Sequence, residues 1–262
     1  LVPKWIYQTG ISATFQTSPL VADGVMYLTA PFSHVVALDA ATGRQLWRYE
    51  HKRRAEKLCC GPANRGAAIG YGKVYVATVD ARLVALDQST GKPIWDIALA
   101  EDGTGATEDK QLLAADDPLN ARNITGSTGV GAVIAPLVYD GKVFVGITGV
   151  GYGLHLDSPR PGAPLGAVVG VAGRYGRPGF LAAYDAETGT KIWQFDTTQD
   201  GWEGSFRTET PDGIPLHRDI AAEKASLAEH PDAWRYGGGS IWHTPTVDLA
   251  TGVLYFGVGN PS

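Results

Sequence analysis

The chain has 262 residues and a formal net charge of −5, from 22 Lys and Arg against 27 Asp and Glu, with no long basic run, which argues against a nucleic-acid partner. No apolar run approaches the ~18 residues that a membrane-spanning helix needs, so no transmembrane segment is expected. Its 34 glycines and 7 tryptophans suit a turn-rich sheet protein.

Leu1-Val-Pro-Lys-Trp5 reads as the middle of an element rather than its start. A hairpin pattern follows in Pro19-Leu-Val-Ala-Asp-Gly-Val-Met-Tyr-Leu28, and it returns from Ile69 to Val76 and from Pro136 to Val145. A modified copy runs from Pro245 to Phe256. Alternating with it is a second pattern: an apolar strand, Asp-x-x-Thr-Gly, and a strand whose Trp lies four residues after the Gly. The copies are Val36–Trp47, Val84–Trp95 and Ala182–Trp193. The Asp side chain can bond the turn's own backbone and the Gly can take positive φ, so each copy predicts a hairpin by mechanism.

Two hairpins per repeat make four strands, and Asp39 and Asp87 are 48 residues apart. Four-stranded units at ~40–50 residues are the signature of propeller blades. The expected fold is therefore all-β: a β-propeller of four-stranded antiparallel blades, the recurrent Trp packing blade on blade. Blades are expected near 19–50, 66–97 and 134–195, with another opening at 245–262. Insertions are expected at 101–125, 149–179 and 198–239, the last with a short helix near Asp219 to Glu229. A propeller closes with roughly 4–8 blades, so the expectation is a portion of a larger ring completed by its remainder or by a partner chain.

Cys59 and Cys60 are adjacent and are the only cysteines. A bridge between neighbours closes almost no loop and fits disulfide geometry poorly, so it would have little value as a staple. Such a strained ring would better serve as a surface for a ligand or as a redox element. The other reading is two reduced thiols packed as small apolar groups. An oxidising compartment follows only if the pair is bridged.

The tryptophan hairpins together with Cys59-Cys60-Gly-Pro-Ala-Asn-Arg65-Gly66 resemble the quinoprotein alcohol dehydrogenases, which use pyrroloquinoline quinone (PQQ). Gly237-Gly-Gly-Ser240-Ile-Trp242 resembles that family's segment ending in a cofactor-stacking indole, and Gly257-Val-Gly-Asn260-Pro261 resembles its metal-reaching asparagine segment. The resemblance runs through nearly the whole chain, in the family's order, and corresponds to roughly the first half of an eight-bladed catalytic propeller. It implies a quinone held between a Cys59–Cys60 vicinal disulfide and Trp242. Arg65 would offer a fork of donors to a carboxylate or quinone oxygen, with a polarising role in catalysis. Gln16, Thr148, Gly149 and Ser240 fall at further cofactor contacts.

The family also holds Ca²⁺ or a lanthanide. Asn260 matches one ligand, but the usual glutamate position reads Gly151: either Asp157, the acid within the insertion, serves instead, or the metal is held by fewer protein ligands, or the site is altered or empty. The catalytic base is expected downstream of Ser262. The implied activity is oxidation of an alcohol, sugar or polyol by hydride transfer to PQQ, in the periplasm or a secreted setting. This segment carries no Cys-x-x-Cys-His haem motif, so electrons would pass to a separate carrier such as a cytochrome c or to a part of the protein outside it. The competing reading is a non-catalytic periplasmic scaffold propeller that binds peptides or proteins.

Overall fold

A computed structural model describes residues 2–53, 61–100, 124–125, 131–148, 155–156, 166–167, 178–200, 206–229, 231–235 and 238–259. Three four-stranded antiparallel sheets follow one another along the chain. The first contains β1 (Leu20–Ala22), β2 (Val25–Ala30), β3 (His34–Asp39) and β4 (Gln45–Tyr49). The second contains β5 (Ala68–Gly70), β6 (Lys73–Ala77), β7 (Arg82–Asp87) and β8 (Pro93–Ala98). Between the second and the third come β9 (Ile124–Thr125), then β10 (Leu137–Tyr139) and β11 (Lys142–Gly146), which open the third sheet. Two short strands, β12 (His155–Leu156) and β13 (Gly166–Ala167), precede β14 (Phe180–Asp185) and β15 (Lys191–Asp196), which complete it. A helix, α1 (Ile220–Glu229), and a two-stranded hairpin of β16 (Thr246–Asp248) and β17 (Val253–Tyr255) close the sequence of elements. Asp219 begins the helix by accepting from the Ala222 amide at 3.0 Å. Among the described residues no helix is long and apolar enough to cross a membrane.

The sheets stack face to face, and the strand pattern explains why. Val35, Val36, Ala37 and Leu38 in β3 are all fully buried, because both faces of the strand are covered. Val35 and Ala37 join Val74, Val76, Val84 and Leu86 of the second sheet. Val36 and Leu38 point the other way and pack under Trp5 and Tyr7. On the far side of the second sheet Tyr75, Leu83 and Ala85 meet Val143, Val145 and Leu181 of the third. Strands buried on both sides carry apolar runs rather than alternation, and period 2 then decides which neighbour each residue touches.

Each Asp-x-x-Thr-Gly turn is built the same way. Asp39 Oδ1 accepts from the Ala41 and Thr42 amides and the Thr42 hydroxyl, and Asp87 and Asp185 repeat the pattern with Ser89–Thr90 and Glu187–Thr188. These bonds favour the ionised form and hold all three carboxyls below the usual carboxylate pKa. The glycine that follows has a second task. A β-carbon on Gly91 would lie 2.4 Å from Trp47, and one on Gly189 would lie 3.0 Å from Trp95. The indoles of the first and second sheets therefore lie against the turn glycines of the second and third. Trp47 also donates through Nε1 to the Gln88 carbonyl at 3.1 Å.

Trp5 docks identically, which its sequence context did not reveal. A β-carbon on Gly43 would lie 2.5 Å from its ring, and its Nε1 donates to the Ala40 carbonyl at 3.1 Å. Trp193, on the outermost strand β15, is 38 % exposed, and the whole of β15 faces solvent.

Candidate functional site

The topology sorts turns from long connections. The hairpin turns between first and second strands bond to those between third and fourth: the Ala40 amide to the Gly24 carbonyl, Gln88 to Gly72, and Ala186 to Gly141. These short turns occupy one end of the stack. The opposite end gathers the second-to-third-strand turns and the connections that lead into the next sheet. There the Leu99 amide bonds the Ala81 carbonyl, Phe32 bonds Pro62, and Thr197 bonds Gly179. Every long excursion of the chain leaves from this end. Two of them pair with each other: β9, from the first insertion, bonds β12, and β12 bonds β13. Loops raised from a rigid β-scaffold are where sites are built.

At the axis, the segments that enter β1, β5, β10 and β16 are laced together. The Ser18 amide donates to the Arg65 carbonyl at 3.0 Å, and the Arg65 amide to the Val133 carbonyl at 2.9 Å. The Thr244 hydroxyl donates to the Ala135 carbonyl at 2.8 Å. The Asn-Arg-Gly motif has a physical reason at this crossing. Buried Asn64 donates to the Ala77 carbonyl at 2.6 Å and accepts from the Gly66 amide at 3.0 Å, so its side chain sets the turn that presents Arg65. Gly66 sits at φ +139°, and a β-carbon there would crowd the Ser18 carbonyl at 3.2 Å and Ala135 at 3.3 Å. Asn64 is a positioning residue that a reading of the motif as a unit did not single out.

Arg65, Gln16 and His243 meet at a cleft of about 450 Å³, with Leu20, Ile69 and Leu137 of the innermost strands beneath them. Burial lowers the pKa of the Arg65 guanidinium from its usual value, and no described carboxylate offsets this. A half-buried guanidinium without an acid beside it is a receptor for an anionic group.

A second group lies around Trp242. The Thr148 hydroxyl is buried and donates to the Gly131 carbonyl at 2.9 Å, and Thr148 and Gly131 form a β-bridge. Ser240 is bridged to Gly259, and its hydroxyl is buried without a hydrogen-bond partner. The Ile241 amide ties this strand to the Ile147 carbonyl. The Trp242 ring passes so close to Gly259 that a β-carbon there would lie 2.7 Å away, so the indole is seated on the backbone that leads to Asn260. Trp242 is half-buried, and its neighbour His243 turns to the cleft. Thr148, Ser240 and Trp242 do not line that cleft themselves; the two groups join through the Trp242–His243 step.

Cys59, Cys60, Gly149, Asp157 and Asn260 lie outside the described residues, as does Gly151. Among the described residues no three His, Cys, Asp or Glu side chains gather as metal ligands. A flat, multiply anionic quinone fits what is placed: an uncompensated guanidinium, an orphaned buried hydroxyl, and an indole held against a glycine.

Comparison with known proteins agrees with this geometry. Residues 2–151 match the family model described as PQQ, glucose/ethanol/alcohol dehydrogenase, beta-propeller domain. The quinohemoprotein alcohol dehydrogenase ADH IIB of Pseudomonas putida is 32% identical over 262 residues, covering 98% of this chain and 30% of that protein. The quinoprotein ethanol dehydrogenase of Pseudomonas aeruginosa is 32% identical over 266 residues, with 100% and 36% covered. A europium-containing methanol dehydrogenase structure superposes with a TM-score of 0.63 at 25% identity, over 98% of this chain and 37% of that one. The chain thus spans about a third of the length of these relatives. Its sheets, its docked tryptophans and its matched residues place it in one family: the chain belongs to the PQQ glucose/ethanol/alcohol dehydrogenase beta-propeller family.

Proposed function

We propose that the protein containing this chain binds PQQ on the propeller axis and oxidises an alcohol, sugar or polyol, passing electrons to a separate carrier such as a cytochrome c. The observation that carries this reading is Arg65, half-buried on the axis with no described carboxylate beside it. Arg65 would bind a carboxylate or quinone oxygen, and Gln16 would add an amide donor. Ser240 would give its unpaired hydroxyl, and Trp242 would supply the flat face of the sandwich. Cys59 and Cys60, bridged, would form the opposite face. Thr148 and Gly149 would border the ring.

When bound there, PQQ would supply the hydride acceptor for the alcohol carbon, with the hydroxyl proton leaving to a base. Arg65 raises the electrophilicity of the site by holding positive charge beside it. Asn260 and Asp157 are proposed ligands for Ca²⁺ or a lanthanide, and a europium-containing relative fits that choice. A periplasmic setting fits an oxidised cysteine pair.

Reconstituting the complete protein with PQQ and either Ca²⁺ or La³⁺, and following alcohol-dependent dye reduction, tests the activity. The expected result is turnover that needs the quinone and one of the metals. Saturable PQQ binding without turnover on any alcohol, sugar or polyol would overturn the catalytic part.

A further inference from the structure

Arg65 and His243 each lie three residues ahead of the innermost strand of their sheets, β5 and β16, and Gln16 lies four residues ahead of β1. The segments that enter these strands run side by side, and the three residues share one cleft. In this chain they are Gln, Arg and His, three side chains able to donate hydrogen bonds, and all three line the same cleft. Arg65 and His243 are the only titratable groups among the described residues that line it, so no described acid competes for either. The His243 ring leans on the indole proposed as the cofactor's platform, with centroids 6.3 Å apart and planes inclined by 58°. That contact limits the imidazole's freedom while the side chain stays exposed to the cleft.

We propose that His243 is a further binding residue of the site: its imidazole donates to an anionic oxygen of the quinone, completing with Gln16 and Arg65 a donor set around the axis. This rests on the PQQ reading above. The physical basis is that a donor to an ionised acceptor contributes more than a neutral pair, and more again where Arg65 already holds the anion in place.

The test is a PQQ titration of the complete protein, unaltered and as His243→Ala, His243→Gln and His243→Leu, at one fixed pH, with tryptophan fluorescence as the readout. The alanine variant is expected to bind PQQ about tenfold more weakly, the effect of losing one hydrogen bond to an anionic acceptor. The glutamine variant, which keeps a donor, should recover part of that loss, and the leucine variant, which fills the space without one, should not. A purely structural histidine would lower the melting temperature without separating the glutamine from the leucine variant in affinity. If the alanine variant fails to fold, the glutamine and leucine variants decide by their affinities. Affinities of all the variants within twofold of the unaltered protein, or equal affinities for the glutamine and leucine variants, would overturn the proposal while leaving PQQ binding intact. No binding by the unaltered protein would overturn the PQQ reading and this inference with it.

Discussion

Gly91→Ala is expected to destabilise the protein by about 2–5 kcal/mol, from a left-handed backbone penalty plus overpacking. Gly91 sits at φ +70°, where an L side chain is strained, and its new β-carbon would fall 2.4 Å from Cε3 of Trp47. The indole has no room to retreat, because it is buried between the first two sheets and tied to the Gln88 carbonyl. Gly24→Ala separates the two contributions. Gly24 has φ +76° and nothing within 4 Å of a β-carbon, so its replacement should cost only the backbone part, about 1–2 kcal/mol. Urea unfolding of both variants checks the difference. Equal losses would mean that the tryptophan does not bear on the turn and that blade docking is held elsewhere.

A comparable loss is expected on breaking the buried contact between His51 and Asp80 that links the first two blades. His51 Nε2 lies 2.7 Å from Asp80 Oδ1, with the two side chains 2% and 0% exposed. Asp80 also accepts from the Thr78 hydroxyl at 2.6 Å, and the His51 amide donates to His34 Nδ1 at 2.9 Å. Asp80→Ala leaves a buried imidazole facing a void and should cost about 3–5 kcal/mol, as for other broken buried pairs. Replacing both partners with apolar residues of matched volume should recover much of that, since no buried charge is then left alone. Thermal unfolding of the single and double variants measures it. A single variant within about 0.5 kcal/mol of the unaltered protein, the ordinary range for a surface change, would show the pair to be incidental.

The fold was legible because its signals are short-ranged and repeated. Asp39, Asp87 and Asp185 each build a turn from the two or three residues that follow, so each copy announces itself within a dozen residues. The docking of Trp5 was hidden for the opposite reason: its partner Gly43 lies in the next repeat, far from it in the sequence. The His51–Asp80 pair was hidden too. Its members are 29 residues apart and belong to no motif, and a single buried polar contact leaves no periodic trace in a sequence.

The site was legible in residue type more than in arrangement. Arg65 could be named from its motif, but the reason for the motif is the bonding of Asn64 to Ala77 and Gly66, which needs the neighbouring strand in place. Ser240 read as one hydroxyl among many until its burial without a partner set it apart. Gly259 had no stated role, yet its missing side chain is what seats the Trp242 ring. The pairing of β9 with β12 joins two insertions that composition alone treats as separate loops.

The central claim is that a quinone is held on the axis by Arg65. Its most direct test is a titration of the complete purified protein with PQQ, following tryptophan fluorescence and the quinone absorption together, for the unaltered protein and for Arg65→Ala. The account predicts saturable binding of one quinone per molecule, weakened at least about tenfold when the guanidinium is removed. Failure of the folded, unaltered protein to bind PQQ, or equal affinity in the two proteins, would contradict it.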